Sequence, residues 1–157
     1  MALLRSISHL RPASARLFSV SAPANNLFQS HLSKVKASIK EVSVQDLSGS
    51  LADGPKNTFH LFDVRETYEW NQGRIPNAFY TGRGNLERDI ETYVPDTHDD
   101  IVLYCAGGVR SILAAESLKR MGYKNVSSLA GGIGAWKSAG KPIDAPGGKT
   151  YTEKHDY

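Results

Sequence analysis

The sequence predicts an α/β fold, a parallel sheet covered by helices on both faces. Three observations carry that expectation. Short β-prone apolar runs alternate along the chain with segments of helical periodicity, the order that crossover helices impose on parallel strands. No internal repeat breaks the alternation. The run Ile101-Val102-Leu103-Tyr104 stops at the only cysteine, Cys105, and Gly107-Gly108 then lead into a helical pattern. Such a strand, loop and helix junction is where α/β folds bind anions, beyond the carboxyl end of a strand and beneath the first amides of a helix.

In chain order, Ile39 to Val44 reads as a short first strand, and Ser43 with Asp46 forms a capping pair for a helix running to about Leu51. Asp53-Gly54-Pro55 is a loop, and Phe59 to Val64 a second, buried strand. A helix from Glu66 to Gln72 stops at Gly73. Ile75-Pro76-Asn77 turns the chain into a third strand around Ala78 to Tyr80, and Leu86 to Tyr93 is helical. Ile101 to Tyr104 delivers Cys105, and the helix from Ser111 to Met121 turns Ala114, Ala115, Leu118 and Met121 to one face. Val126 to Leu129 is the last strand, followed by a helix from Ile133 to Ala139 that Gly140 and Pro142 end.

The 157 residues, 40% of them hydrophobic, suit one domain with an ordinary core. The first forty residues differ. They hold Arg5, Arg11, Arg16, Lys34, Lys36 and Lys40 and none of the chain's 16 acids, and they are rich in serine. Without them the formal net charge moves from +3 to −3. This segment resembles a mitochondrial presequence: Leu3, Leu4, Ile7 and Leu10 line one side of a short helix, and Arg16-Leu17-Phe18-Ser19 resembles a matrix-protease site, with cleavage near 18 to 26. A secretory signal or membrane span would need a longer uninterrupted apolar run. A nucleic-acid-binding arm would need aromatic partners among its arginines. The expected layout is therefore a presequence and linker over 1–38, largely disordered, a domain over 39–143, and a flexible tail over 144–157. A mitochondrial matrix protein follows, monomeric, with no membrane span and no nucleic-acid partner.

Free thiols titrate near ~8.5, which leaves about 3% as thiolate at pH 7, and the thiolate is the nucleophile. A helix N-terminus favours the anion by up to ~2 kcal/mol in a partly buried geometry, and Arg110 adds a fixed positive charge. Gly107 and Gly108 let successive N–H groups turn inward as an anion-binding nest, with Gly108 placed where positive φ is needed. A buried, inert cysteine is the ordinary alternative, and it explains neither the glycine pair nor the arginine. Cys105 and Arg110 are thus the catalytic candidates. Ala106, Gly107, Gly108, Val109 and Ser111 are the candidate substrate-binding residues.

From about Lys40 to Ile143 the chain resembles a single-domain rhodanese of the mitochondrial type, a sulfurtransferase whose cysteine accepts a sulfane sulfur as a persulfide. Cys105, Gly108 and Arg110 match the loop Cys-x-x-Gly-x-Arg. Three further stretches fit: Asp63-Val64-Arg65 with Glu69-Trp70, then Gly73-Arg74-Ile75-Pro76-Asn77-Ala78, and Gly131-Gly132-Ile133 with Trp136. The resemblance implies five strands in the order 1-5-4-2-3 in a mostly parallel sheet. It also implies a structural role for Asp63 and Arg65, with Asp63 accepting loop N–H bonds and Arg65 pairing with a carboxylate such as Glu69. Arg83-Gly84-Asn85-Leu86-Glu87 resembles a segment that lies beside the active-site mouth in one branch of the family, which makes Arg83 a candidate contact for an anionic substrate.

The resemblance further implies thiosulfate or glutathione persulfide as donor, and cyanide or a thiol such as glutathione or thioredoxin as acceptor. With one cysteine there is no internal resolving thiol. A carrier or docking module on the same fold is the second reading. Related phosphatase and arsenate-reductase loops resemble Cys-x5-Arg, one residue longer than here, which makes phosphate chemistry the weaker one. Gly131, Gly132 and Trp136 read as packing residues, and Tyr68, Trp70 and Tyr80 as packing or as the pocket mouth. Asp96, Asp99 and Asp100 read as solvated charge. His9, His31, His60, His98 and His155 show no metal-ligand spacing, so no metal or other cofactor is expected.

Overall fold

A computed structural model describes residues 26–54 and 58–145 of the chain. Strands β1 (Lys40–Val42), β2 (Phe59–Asp63), β3 (Phe79–Tyr80), β4 (Asp100–Tyr104) and β5 (Asn125–Leu129) form one sheet in the order β1-β5-β4-β2-β3. Every pairing is parallel, so the expected order holds and the sheet is parallel throughout. Helices α1 (Leu27–Ser38), α2 (Val44–Ala52), α3 (Thr67–Asn71), α4 (Gly82–Tyr93), α5 (Val109–Met121) and α6 (Gly132–Ser138) complete the described fold.

Alternation along the central strands splits the core into two layers. In β4, Ile101 and Leu103 join Phe62, Leu86, Ile90, Ile112 and Leu118 on one side of the sheet. Val102 and Tyr104 point the other way, among Leu47, Leu61, Leu129, Ile133 and Trp136. Both layers consist of buried apolar side chains, and β4 is buried from Ile101 to Tyr104. The chain is thus held rigidly up to the residue before Cys105.

Four expected boundaries move. Helix α1 lies inside the stretch assigned to presequence and linker, yet Leu32, Val35 and Ile39 form its apolar stripe and pack into the first core layer. The basic residues that mark the leader include Lys34 and Lys36 of this helix, and Lys36 reaches Glu41 at 3.1 Å. Lys119 of α5 also donates to the Ser38 carbonyl at 3.1 Å. The domain therefore starts by Leu27. At the other end, Arg74 and Asp144 exchange backbone bonds of 2.9 Å in an antiparallel bridge, which extends it through Asp144. Helix α4 starts at Gly82 instead of Leu86, and α5 at Val109 instead of Ser111. The presequence reading over 1–25, the loop at 55–57 and the tail beyond 145 lie outside the described residues.

Candidate active site

Cys105 follows β4 directly and is 1% exposed. Its Sγ accepts the Gly108 N–H at 3.1 Å. Gly108 holds φ at 96°, the left-handed conformation the loop was expected to need, and caps the N-terminus of α5. The thiol thus lies at the positive end of a 13-residue helix. Ser111 stands beneath it: its hydroxyl is 3.5 Å from Sγ, 3.0 Å from the Gly108 carbonyl and 2.8 Å from the Ser128 hydroxyl. Ser111 is fully buried, as Cys105 nearly is, and its hydroxyl bonds the loop from the core side. Ala106, Gly107 and Val109 are exposed and form the outer lip.

A second glycine pair fixes the loop from behind. Gly131 and Gly132 take φ of 69° and 58° and bring the start of α6 against the loop backbone. The Ile133 N–H donates to the Cys105 carbonyl at 2.9 Å and the Gly134 N–H to the Ala106 carbonyl at 3.0 Å. Any side chain on Gly132 would overlap the Cys105 carbonyl oxygen and meet the Ala106 carbonyl at 2.8 Å. These bonds turn both carbonyls back to α6, while the Gly108 N–H faces the sulfur. Trp136, 1% exposed, donates to the Pro142 carbonyl at 2.8 Å and anchors α6.

The ion pairs differ from the expected ones. Arg65 does not meet Glu69. Its Nη2 bonds Asp63 at 2.6 Å and the Gly73 carbonyl at 2.7 Å, its Nε bonds Asp63 at 2.9 Å, and Asp63 also takes the Arg65 N–H at 3.0 Å. The Arg65 guanidinium and N–H occupy both Asp63 oxygens, so the carboxylate expected to accept loop N–H bonds is engaged within the pair. The pair borders the cysteine strand at Tyr104, whose ring lies 5.7 Å from the guanidinium and whose hydroxyl accepts the Ile75 N–H at 3.2 Å. Burial pushes the Tyr104 hydroxyl far above the ordinary tyrosine range.

Glu69 instead takes Arg110, with bonds of 2.7 and 2.9 Å, and Glu66 adds a second carboxylate at 3.8 Å. The Glu69 bonds raise the Arg110 pKa, with Cys105 contributing, and the Arg110 bonds lower that of Glu69. The fixed positive charge of Arg110 is therefore paired with Glu69. Arg83 likewise bonds Glu87 one turn along α4, at 2.7 and 2.9 Å. Trp70 stacks on Tyr80 at 5.2 Å beneath the Arg74 guanidinium, while Tyr68 is 66% exposed. Ser128 and Gly134 carry functional contacts that were not singled out from the sequence. Two adjacent serines in an otherwise apolar strand were the available signal for the first.

The rhodanese-like domain model matches residues 43–139. The chain belongs to that family. A sulfurtransferase from Allochromatium vinosum is 36% identical over 110 residues, covering 70% of this chain and 99% of the relative. A Schizosaccharomyces pombe protein, named as a candidate mitochondrial thiosulfate sulfurtransferase, is 32% identical over 62% of this chain and 80% of its own. Among solved structures, a Rhodopseudomonas palustris protein of unknown function, named as a candidate tyrosine phosphatase, superposes with a TM-score of 0.67 at 34% identity, covering 74% of this chain and 92% of the other. In this rhodanese-like domain Cys105 and Arg110 enclose four residues, and α5 begins inside that interval at Val109.

Proposed function

We propose that the protein is a sulfurtransferase that carries a sulfane sulfur on Cys105. The observation behind this reading is the seating of the thiol: Sγ is 3.1 Å from the Gly108 N–H at the head of α5, in a loop whose carbonyls are turned back to α6. Such a cradle stabilises an anionic sulfur, first the thiolate and then the terminal sulfur of a persulfide. The relatives named as sulfurtransferases support the same chemistry.

The donor in this reading is thiosulfate or glutathione persulfide. The Cys105 thiolate attacks the outer sulfur, the donor's S–S bond breaks, and sulfite or the glutathione thiolate leaves with the bonding pair. A new S–S bond then joins Cys105 to the transferred sulfur. An external nucleophile, cyanide or a thiol such as glutathione or thioredoxin, takes that sulfur and regenerates the thiolate. The mitochondrial matrix is the proposed site of action, on the basic, acid-free leader and the S. pombe relative's name.

Intact mass tests the proposal. After incubation with thiosulfate or glutathione persulfide, the protein gains one sulfur, and Cys105→Ser gains none. Equal loading of both, or of neither, overturns it.

A further inference from the structure

The electrostatics of the loop mouth bear on which donor it accepts. Arg110 is the one fixed cation within the loop, and both of its terminal nitrogens are held by Glu69. Glu69 is itself fixed: its side chain is 14% exposed and accepts the Glu66 N–H at 3.0 Å at the start of α3. Glu66 stands 3.8 Å from the same guanidinium with its side chain 61% exposed. One cation thus faces two carboxylates. Arg83, the candidate contact for an anionic substrate, is bonded to Glu87. Among the other exposed residues here, Val109 lies beside Arg110, and Tyr68 lies between the two glutamates in sequence, next to Thr67, whose hydroxyl is 2.8 Å from that of Tyr80.

We infer that Glu69 and Glu66 set donor choice by neutralising Arg110, so that the mouth disfavours inorganic dianions such as thiosulfate and favours an organic persulfide bearing an ammonium group. Glu69 is in this sense a positioning residue that acts through Arg110. The inference rests on the sulfurtransferase reading and narrows it. The transfer keeps its balance with this donor: the Cys105 thiolate attacks the outer sulfur of R–S–SH, the donor's S–S bond breaks, and R–S⁻ leaves with the bonding pair as the Cys105 persulfide forms. An ammonium on R lies near Glu66 and Glu69, while the apolar part of R lies on Tyr68 and Val109. Thiosulfate brings two negative charges to a rim that is already acidic.

The test compares two donors of opposite charge, thiosulfate and cysteamine persulfide, on the full chain with Cys105 loading followed by intact mass. Glu69→Gln keeps the shape and the acceptor for the Glu66 N–H and removes the charge. It is expected to raise kcat/KM for thiosulfate about fivefold, through KM, and to lower it for cysteamine persulfide by a similar factor. Glu66→Gln shifts both in the same directions by about twofold, as expected for a more exposed charge. Glu69→Asp retains wild-type preference. A merely structural glutamate would lower both rates together, and that outcome, or unchanged rates, overturns the inference while leaving the sulfurtransferase reading in place. If neither donor loads Cys105 in the wild type, both fall.

Discussion

Two arginine–carboxylate pairs flank the active loop, and they are built from the same chemistry for different ends. Asp63 and Arg65 are two residues apart, with side chains 0% and 4% exposed, and every bond they make stays inside the fold. Glu69 and Arg110 are 41 residues apart in sequence, 14% and 34% exposed, and they join α3 to the lip of the cysteine loop. The first pair has lost its water and depends on its partners for solvation. The second keeps contact with solvent and with whatever enters the site. Burial, more than geometry, separates a pair that holds the fold from one that shapes its reactivity.

The widest separation between them is expected in stability. Asp63→Ala leaves a buried guanidinium without its carboxylate and should cost about 3–5 kcal/mol. Glu69→Gln should cost no more than about 1 kcal/mol, because water can reach both partners. Urea unfolding monitored by far-UV circular dichroism measures both. Similar losses in the two variants would show that the comparison is misplaced and that the Arg110 pair is as structural as the other.

The two glycine pairs give a second, smaller contrast. Gly108 faces the sulfur, and Gly132 faces the back of the loop, where a Cβ would meet both the Cys105 and Ala106 carbonyls. Gly132→Ala combines left-handed strain at φ 58° with that overlap, at a cost of about 2–3 kcal/mol. Because α6 then pushes on the very carbonyls that aim the loop, persulfide formation should fall more than tenfold even where the variant remains folded. Gly107 is the internal control, since a Cβ there meets nothing within 4 Å. Gly107→Ala should fold and load sulfur nearly as the wild type does, and equal losses at both positions would remove the distinction between the two sides of the loop.

Much of this was legible from local pattern. The central strands could be read because Ile101, Val102, Leu103 and Tyr104 form a continuous apolar run, as a strand covered on both faces must. The cysteine loop could be read because a glycine with positive φ and a helix start leave their own marks in sequence. What escaped was the choice of partner. Arg65 had Glu69 within four residues, yet it bonds Asp63, and Glu69 reaches Arg110 at the start of α5, 41 residues along the chain. Long charged side chains choose among several neighbours that only the tertiary arrangement provides, so their pairing has no periodic signature. Helix α1 escaped for a different reason. The absence of acids pointed to a leader, and that compositional signal hid the stripe of Leu32, Val35 and Ile39 by which its last part joins the core.

The smallest expected effect concerns pH and bears again on the exposed pair. Arg110 holds the Glu69 carboxyl below the ordinary glutamate range. In the unfolded chain that carboxyl titrates near ~4.3. Between the two values the unfolded state binds the proton and the folded state does not, so stability rises with pH across that window. The contribution of the pair is fully present above the unfolded value and is lost as pH falls through the folded one. The stability difference between wild type and Glu69→Gln should therefore stay level from about pH 8 to about pH 5 and shrink towards zero below ~pH 4. Urea midpoints of the two proteins across that range isolate it, because every other carboxylate titrates alike in both. A difference that widens as the pH falls would mean that Glu69 is held in its neutral form by the fold and that Arg110 is not neutralised by it.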